Sequence, residues 1–162
     1  MDLNQTWNQY VVKKGNKNIV LDTIINHSPI SRADIAQQTG LNKGTVSSLV
    51  SELLDEKMIK EVGPGRCSGG RRPVMLLFNQ SAGFSIGIDL GVNYILGILT
   101  DLKGNIYEKE KITFHDLSYE EIEAILFNTI QQLIEKAPKS PYGVVGIGVG
   151  VPGTVDNHGE IL

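Results

Sequence analysis

The 162 residues include one cysteine, and no apolar run approaches the roughly 20 residues that a bilayer-crossing helix requires. A lone Cys67 can close no internal disulfide and, by itself, hold no metal. It sits between Arg66 and Ser68 in a glycine-rich stretch, reads as an exposed thiol, and is given no role. The first five residues, MDLNQ, are too polar for a secretory signal. Internal repeats and low-complexity segments are also missing. These absences point away from membrane and secreted classes and predict a cytoplasmic protein. What remains is an ordinary globular mixture, 41% hydrophobic and 20% charged, long enough for one large or two small domains.

The net charge of −3 hides an asymmetry between the two halves of the chain. Residues 1 to 80 carry ten Lys/Arg against seven Asp/Glu, whereas residues 81 to 162 carry five against eleven. Only the first half is a candidate to meet phosphates. Its pattern predicts three helices. Apolar Ile19 to Leu21 and Ile24 to Ile25 mark one side of a helix over residues 16–25, which Pro29 ends. Ser31-Arg32-Ala33-Asp34 has capping-box form and Gly40 suits a left-handed C-terminal position, so a short helix lies between them. Asn42 then caps a third helix, whose Val46, Leu49, Val50, Leu53 and Leu54 fall at i, i+3, i+4, i+7 and i+8. After Lys57 the period becomes that of strands, Met58 to Val62 and Val74 to Phe78, joined by a glycine-rich, basic loop without acids. Three helices followed by a two-stranded hairpin with a basic tip is the order of a winged helix-turn-helix.

The outward residues of the third helix are Lys43, Gly44, Thr45, Ser47, Ser48 and Ser51, all short apart from the lysine. Exposed helix faces usually carry long charged side chains for solubility and propensity, and here none follows Lys43 until Glu52. Such a face fits a major groove of double-stranded DNA, where small residues let the helix approach and hydroxyls reach bases or phosphates. Asn42 at the cap belongs to the same surface. Gly44, costing about 1 kcal/mol against alanine inside a helix, suits close approach. In the wing, Arg66, Arg71 and Arg72 are suited to a minor groove or to phosphates. Arg32, at the start of the second helix, is placed either at the DNA backbone or in solvent.

From Gly83 a second pattern begins. Phe84 to Leu90, Tyr94 to Asp101 and Asn105 to Thr113 read as strands, and Ser118-x-x-Glu121 caps a helix running to Lys136. Its apolar face is Ile122, Ile125, Leu126, Thr129, Ile130, Leu133 and Ile134. Val144 to Val151 reads as a buried strand ending in Pro152-Gly153. The expected fold class is therefore an N-terminal winged helix-turn-helix (α+β, mostly α) followed by the beginning of an α/β domain. The first spans 1–80, with the helix-turn-helix at 31–54 and the wing at 58–78. The second spans 81–162.

Asp89-Leu90-Gly91, the strand-strand-strand-helix-strand order and Gly146 to Asp156 (GIGVGVPGTVD) together resemble the start of the ROK family of repressors, open reading frames and sugar kinases. Ser31 to Leu54 (SRADIAQQTGLNKGTVSSLVSELL) and Gly69 to Leu77 (GGRRPVMLL) are similar to the family's regulators, above all those that answer to xylose. The resemblance spans the chain. It implies an actin/hexokinase-like (ribonuclease H-like) second domain, operator DNA as partner, and xylose as the inducer whose binding lowers operator affinity, with another sugar such as glucose or N-acetylglucosamine as the alternative. It further implies a homodimer or higher homo-oligomer. By matching position, it puts Asp89 and Gly91 in a phosphate loop and Val151, Pro152 and Gly153 beside the sugar. The family's kinases follow D-x-G with Gly-Thr, whereas Val92-Asn93 stands here. That replacement argues against nucleotide binding and for a regulator over an enzyme. The family's catalytic aspartate, most of its sugar ligands and its Cys/His zinc motif come later than Leu162, so the chain is expected to be the N-terminal part of a longer protein. It is expected to hold no cofactor itself, and to leave Val144 to Val151 and one face of the 118–136 helix uncovered.

Overall fold

The structure is a computed structural model that describes residues 3–64, 73–153 and 158. Two compact units divide the chain, Met1–Asn79 and Gln80–Leu162.

The first unit begins with α1, Leu3–His27, which is longer than the helix expected over 16–25. Tyr10, Val11 and Val12 on it are exposed. Ion pairs link it to the third helix and its cap, Lys13 to Glu52 at 2.6 Å and Lys17 to Glu56. Periodicity cannot register such contacts, because both partners are far apart in sequence. Then follow β1 (Ile30–Ser31), α2 (Arg32–Thr39) and α3 (Lys43–Asp55). The caps form as expected. Ser31 Oγ accepts from the Asp34 N–H at 3.2 Å and completes a capping box, and Gly40 closes α2 at φ 70°. Asn42 Oδ1 accepts from the Thr45 N–H at 2.8 Å at the start of α3.

Val46, Leu49, Val50 and Leu53 of α3 are buried, as are Val20 and Ile24 of α1 and Ile35 of α2, and the three helices contact one another. Lys57, at φ 60°, turns the chain out of α3. Met58 still donates to the Leu53 carbonyl, so the strand β2 begins one residue later than expected and runs Ile59–Pro64. With β3 (Val74–Phe78) it forms an antiparallel pair. The expected two-stranded hairpin is in fact a three-stranded sheet, ordered β1-β3-β2, with Ile30 opposite Leu76 and Ser31 opposite Met75. Two residues are too few to display the alternation that reveals a strand, and only packing brings them to β3.

In the second unit a turn of 3-10 helix (Gln80–Ala82) leads to β4 (Phe84–Leu90), β5 (Tyr94–Asp101) and β6 (Ile106–Thr113). These pair antiparallel in succession. Asn105 lies outside β6 because its side chain and N–H both bind the Asp101 carboxylate at 2.9 Å, closing the turn at Gly104. The helix α4 (Tyr119–Lys136), capped by Ser118 and Glu121, returns the chain to β7 (Val144–Gly150), which lies parallel to β4. The sheet order is β6-β5-β4-β7. Phe84, Ile86, Ile88, Ile95, Leu99, Phe114 and Leu133 form its core, with Ile122, Ile125, Leu126 and Ile130 of α4 packed on it. A Cβ at Gly97 would lie 2.8 Å from Leu133 Cδ1 and 2.9 Å from Thr129 Cγ2, which is how closely α4 approaches β5.

Val144 to Val151 reads as buried by composition, which the structure corrects, and its exposure agrees with the expectation that this strand is left uncovered. Residues 145–150 are exposed, including Val145, Ile147 and Val149. β7 is the edge of the described sheet, so apolar composition alone does not bury it. The apolar stripe expected on α4 is likewise incomplete, Ile134 being exposed while Thr129 and Leu133 are fully buried.

Candidate nucleic-acid interface

The start of α3 and the residue before it present one continuous polar surface. Asn42, Lys43, Gly44, Ser47, Ser48 and Ser51 are exposed and Thr45 is half-buried, while the opposite side of the helix is sealed into the core. Two of these groups are partly engaged. Asn42 uses its carbonyl oxygen on the cap, and the Ser51 hydroxyl donates to the Ser47 carbonyl at 3.0 Å, the usual back-bond of a helical serine. Lys43 and Ser48 project from the first two turns, the part of a recognition helix that reaches base edges. A Cβ at Gly44 would meet only Asn42 Oδ1, at 3.3 Å, so the glycine leaves the helix start open on its outer side.

Arg32 is neither free in solvent nor placed by itself. Its Nη2 donates to Glu61 Oε1 of β2 at 2.9 Å. Sequence reading missed Glu61 because a carboxylate 29 residues away carries no local signal. Glu52 of α3 is also paired, and the hydrogen bond from Lys13 holds its carboxyl below its ordinary pKa. Arg66, Cys67, Arg71 and Arg72 of the expected wing tip lie outside the described residues.

In the second unit, the parallel register sets Asp89 of β4 opposite Gly150 of β7. This brings Asp89 and Gly91 to the same end of the sheet as Val151, Pro152 and Gly153. Carboxyl ends of neighbouring parallel strands are where open α/β sheets bind ligands. Asp89 Oδ2 accepts a 2.7 Å bond from the Tyr94 hydroxyl, and the Gly91 N–H donates to the Tyr94 carbonyl at 2.8 Å. The Tyr94 ring lies where a Cβ on Gly91 would be, with Cδ1 2.6 Å from that position, and carries Lys111 Nζ 4.7 Å from its centroid. The hydrogen bond to Asp89, and then its charge, push the Tyr94 pKa up. Nothing local in the sequence marks Tyr94, because it meets Asp89 only through the β4–β5 turn. Among the described residues, no three His, Cys, Asp or Glu side chains are grouped to hold a metal, and no helix is long and apolar enough to cross a membrane.

A capped helix with a short polar outer face, backed by a three-helix core and a β1-β3-β2 sheet, defines a winged helix-turn-helix DNA-binding unit, and here it precedes the opening of an α/β domain. The winged helix-turn-helix DNA-binding family matches residues 19–60, and the ROK family matches residues 85–162. The chain thus joins a match to the ROK family to a match to a DNA-binding one. It is 50% identical over 154 residues to the xylose repressors of Bacillus spizizenii and Bacillus subtilis, covering 95% of this chain and 40% of each relative. It is 30% identical over 152 residues to the regulator NagC of Escherichia coli, covering 94% of the chain and 37% of that protein. A crystal structure described as a ROK family transcriptional regulator, homologue of the E. coli MLC protein, superposes with a TM-score of 0.63 at 26% identity, over 89% of this chain and 37% of that one. The chain thus spans well under half the length of its relatives.

Proposed function

We propose that this chain supplies the operator-binding part, and the beginning of the inducer-binding part, of a transcriptional repressor of xylose-utilisation genes. The outer face of α3 reads bases through Lys43, Thr45, Ser47, Ser48 and Ser51, with Asn42 and Gly44 at its start. Arg66, Arg71 and Arg72 of the wing hold the backbone. Xylose binds the ROK domain, with Val151, Pro152 and Gly153 beside it, and releases the operator. The protein works in the cytoplasm as a homodimer or higher homo-oligomer, each copy reading one half-site. It is a regulator and not a kinase. The single observation that carries the reading is the short, hydroxyl-rich face of α3 between a sealed core and open solvent. What supports the choice of sugar is the name of the two Bacillus relatives. What supports a non-enzymatic role is Val92-Asn93 where the family's kinases carry Gly-Thr, together with the repressor names of the Bacillus relatives.

Fluorescence titration of labelled operator with the full-length protein, against xylose, glucose and N-acetylglucosamine, tests the reading. Xylose alone is expected to raise the apparent Kd. Release by N-acetylglucosamine instead would move the assignment to the inducer of a relative named the N-acetylglucosamine repressor. Phosphorylation of any of these sugars from ATP would restore the enzyme reading.

A further inference from the structure

The pair between Arg32 and Glu61 joins the two elements that flank α3 in a winged helix. Ile30 of β1 and Glu61 of β2 both face Leu76 of β3, so the three residues form one row across the sheet. Leu76 and Ile30 are buried in that row, and Glu61 is exposed where the same face passes beyond the core. Arg32 follows directly after β1, at the first position of α2, and reaches over the row to Glu61 at 2.9 Å. The side chains keep 32% and 46% of their accessible surface, so water competes for both partners. An ion pair of this kind contributes little to stability. It is poorly suited to hold the fold and well suited to exchange.

Resting on the DNA-binding reading above, we propose that Glu61 is a positioning residue that sets the affinity of the interface by neutralising Arg32. The first residue of α2 lies where the leading helix of a helix-turn-helix crosses the phosphates. Free, Arg32 would add one neutralised phosphate, whereas paired with Glu61 it brings no net charge to the duplex. DNA, with one charge per roughly 1.7 Å of axis, competes for the guanidinium through many phosphates, and each contact requires the carboxylate to be left behind. Glu61 therefore weakens operator and random DNA together, and keeps sequence-independent binding low enough for the bases read by α3 to decide the site.

The experiment uses the full-length protein with operator and random duplexes across a range of salt, comparing wild type, Glu61→Gln, Arg32→Ala and the double variant. Glu61→Gln is expected to tighten both duplexes by about threefold to tenfold and to steepen the slope of log K against log salt by about 0.9, one phosphate's worth. Arg32→Ala is expected to cost less than about threefold alone and about tenfold in the Glu61→Gln background, a non-additivity that a distant charge does not produce. Thermal melting of all four proteins should coincide, as expected for an exposed pair. Equal cost of Arg32→Ala in both backgrounds, or unchanged affinity in Glu61→Gln, overturns the proposal while leaving the DNA-binding reading in place. A wild type that does not prefer operator to random DNA removes the reading itself.

Discussion

Ser48, a base-reading residue in the proposed function, is exposed on the second turn of α3, and its neighbours Leu49 and Val50 anchor the helix from behind. Replacing it with leucine should leave the fold unchanged and remove discrimination between operator and random DNA, since a hydroxyl that bonds to bases becomes a branched alkyl group. Competition gel shifts check this, and a retained preference would mean that α3 does not read the groove. Asp101 illustrates a residue whose work is structural. Burial pushes its carboxyl up, but hydrogen bonds from the Asn105 side chain and N–H and from the Lys103 N–H, with the Lys103 charge, outweigh it and hold the pKa below the ordinary value. A carboxyl depressed by folding contributes stability at pH values above its unfolded pKa of about 3.9, and that contribution disappears as pH falls through the lower folded value. Asp101→Asn should thus lower the urea midpoint at pH 6 and lose its effect in strong acid. A deficit that does not change with pH would refute the ionised role.

At the scale of elements, the contact of α4 with β5 decides whether the second unit has a core. Gly97 is the point of closest approach, and its requirement is spatial, since it is not among the positive-φ glycines. Gly97→Ala should push Leu133 and Thr129 away and destabilise the full-length protein by about 1–3 kcal/mol, the usual range for overpacking. Chemical denaturation followed by circular dichroism measures it, and an unchanged midpoint would show that α4 can slide. By contrast, the same change at Gly146 or Gly148, where a Cβ meets nothing within 4 Å, has no such steric cost.

Across the whole molecule, charge is divided unevenly. The first 80 residues hold ten Lys/Arg against seven Asp/Glu and the rest five against eleven, so only the first part has a charge suited to meeting phosphates. Arg71→Ala combined with Arg72→Ala should therefore weaken operator and random DNA alike, each lost phosphate contact reducing the salt slope by about 0.9. Titrations at several salt concentrations read the slope, and an unaltered slope would mean that these arginines neutralise no phosphate. Together with the Arg32 and Glu61 variants, this compares the wing arginines with a cation already paired.

The local chemistry of the sequence determined the helices at 32–39, 43–55 and 119–136, because a cap, a periodic apolar face and a stop signal all lie within a few residues of one another. It also determined the strands at 74–78, 84–90 and 94–101, the polar face of α3, and the family likeness that joins Asp89 to Gly91 with Val151 to Gly153. Tertiary structure alone decided the rest. The pairing of β1 with β3, the docking of the front of α1 on α3, and the engagement of Arg32 by Glu61 and of Asp89 by Tyr94 each depend on groups that meet only after the chain has folded. β7 stands between the two: the family likeness already left it uncovered and composition alone read it as buried, because apolar residues suit a strand for burial while its neighbours decide whether it is covered.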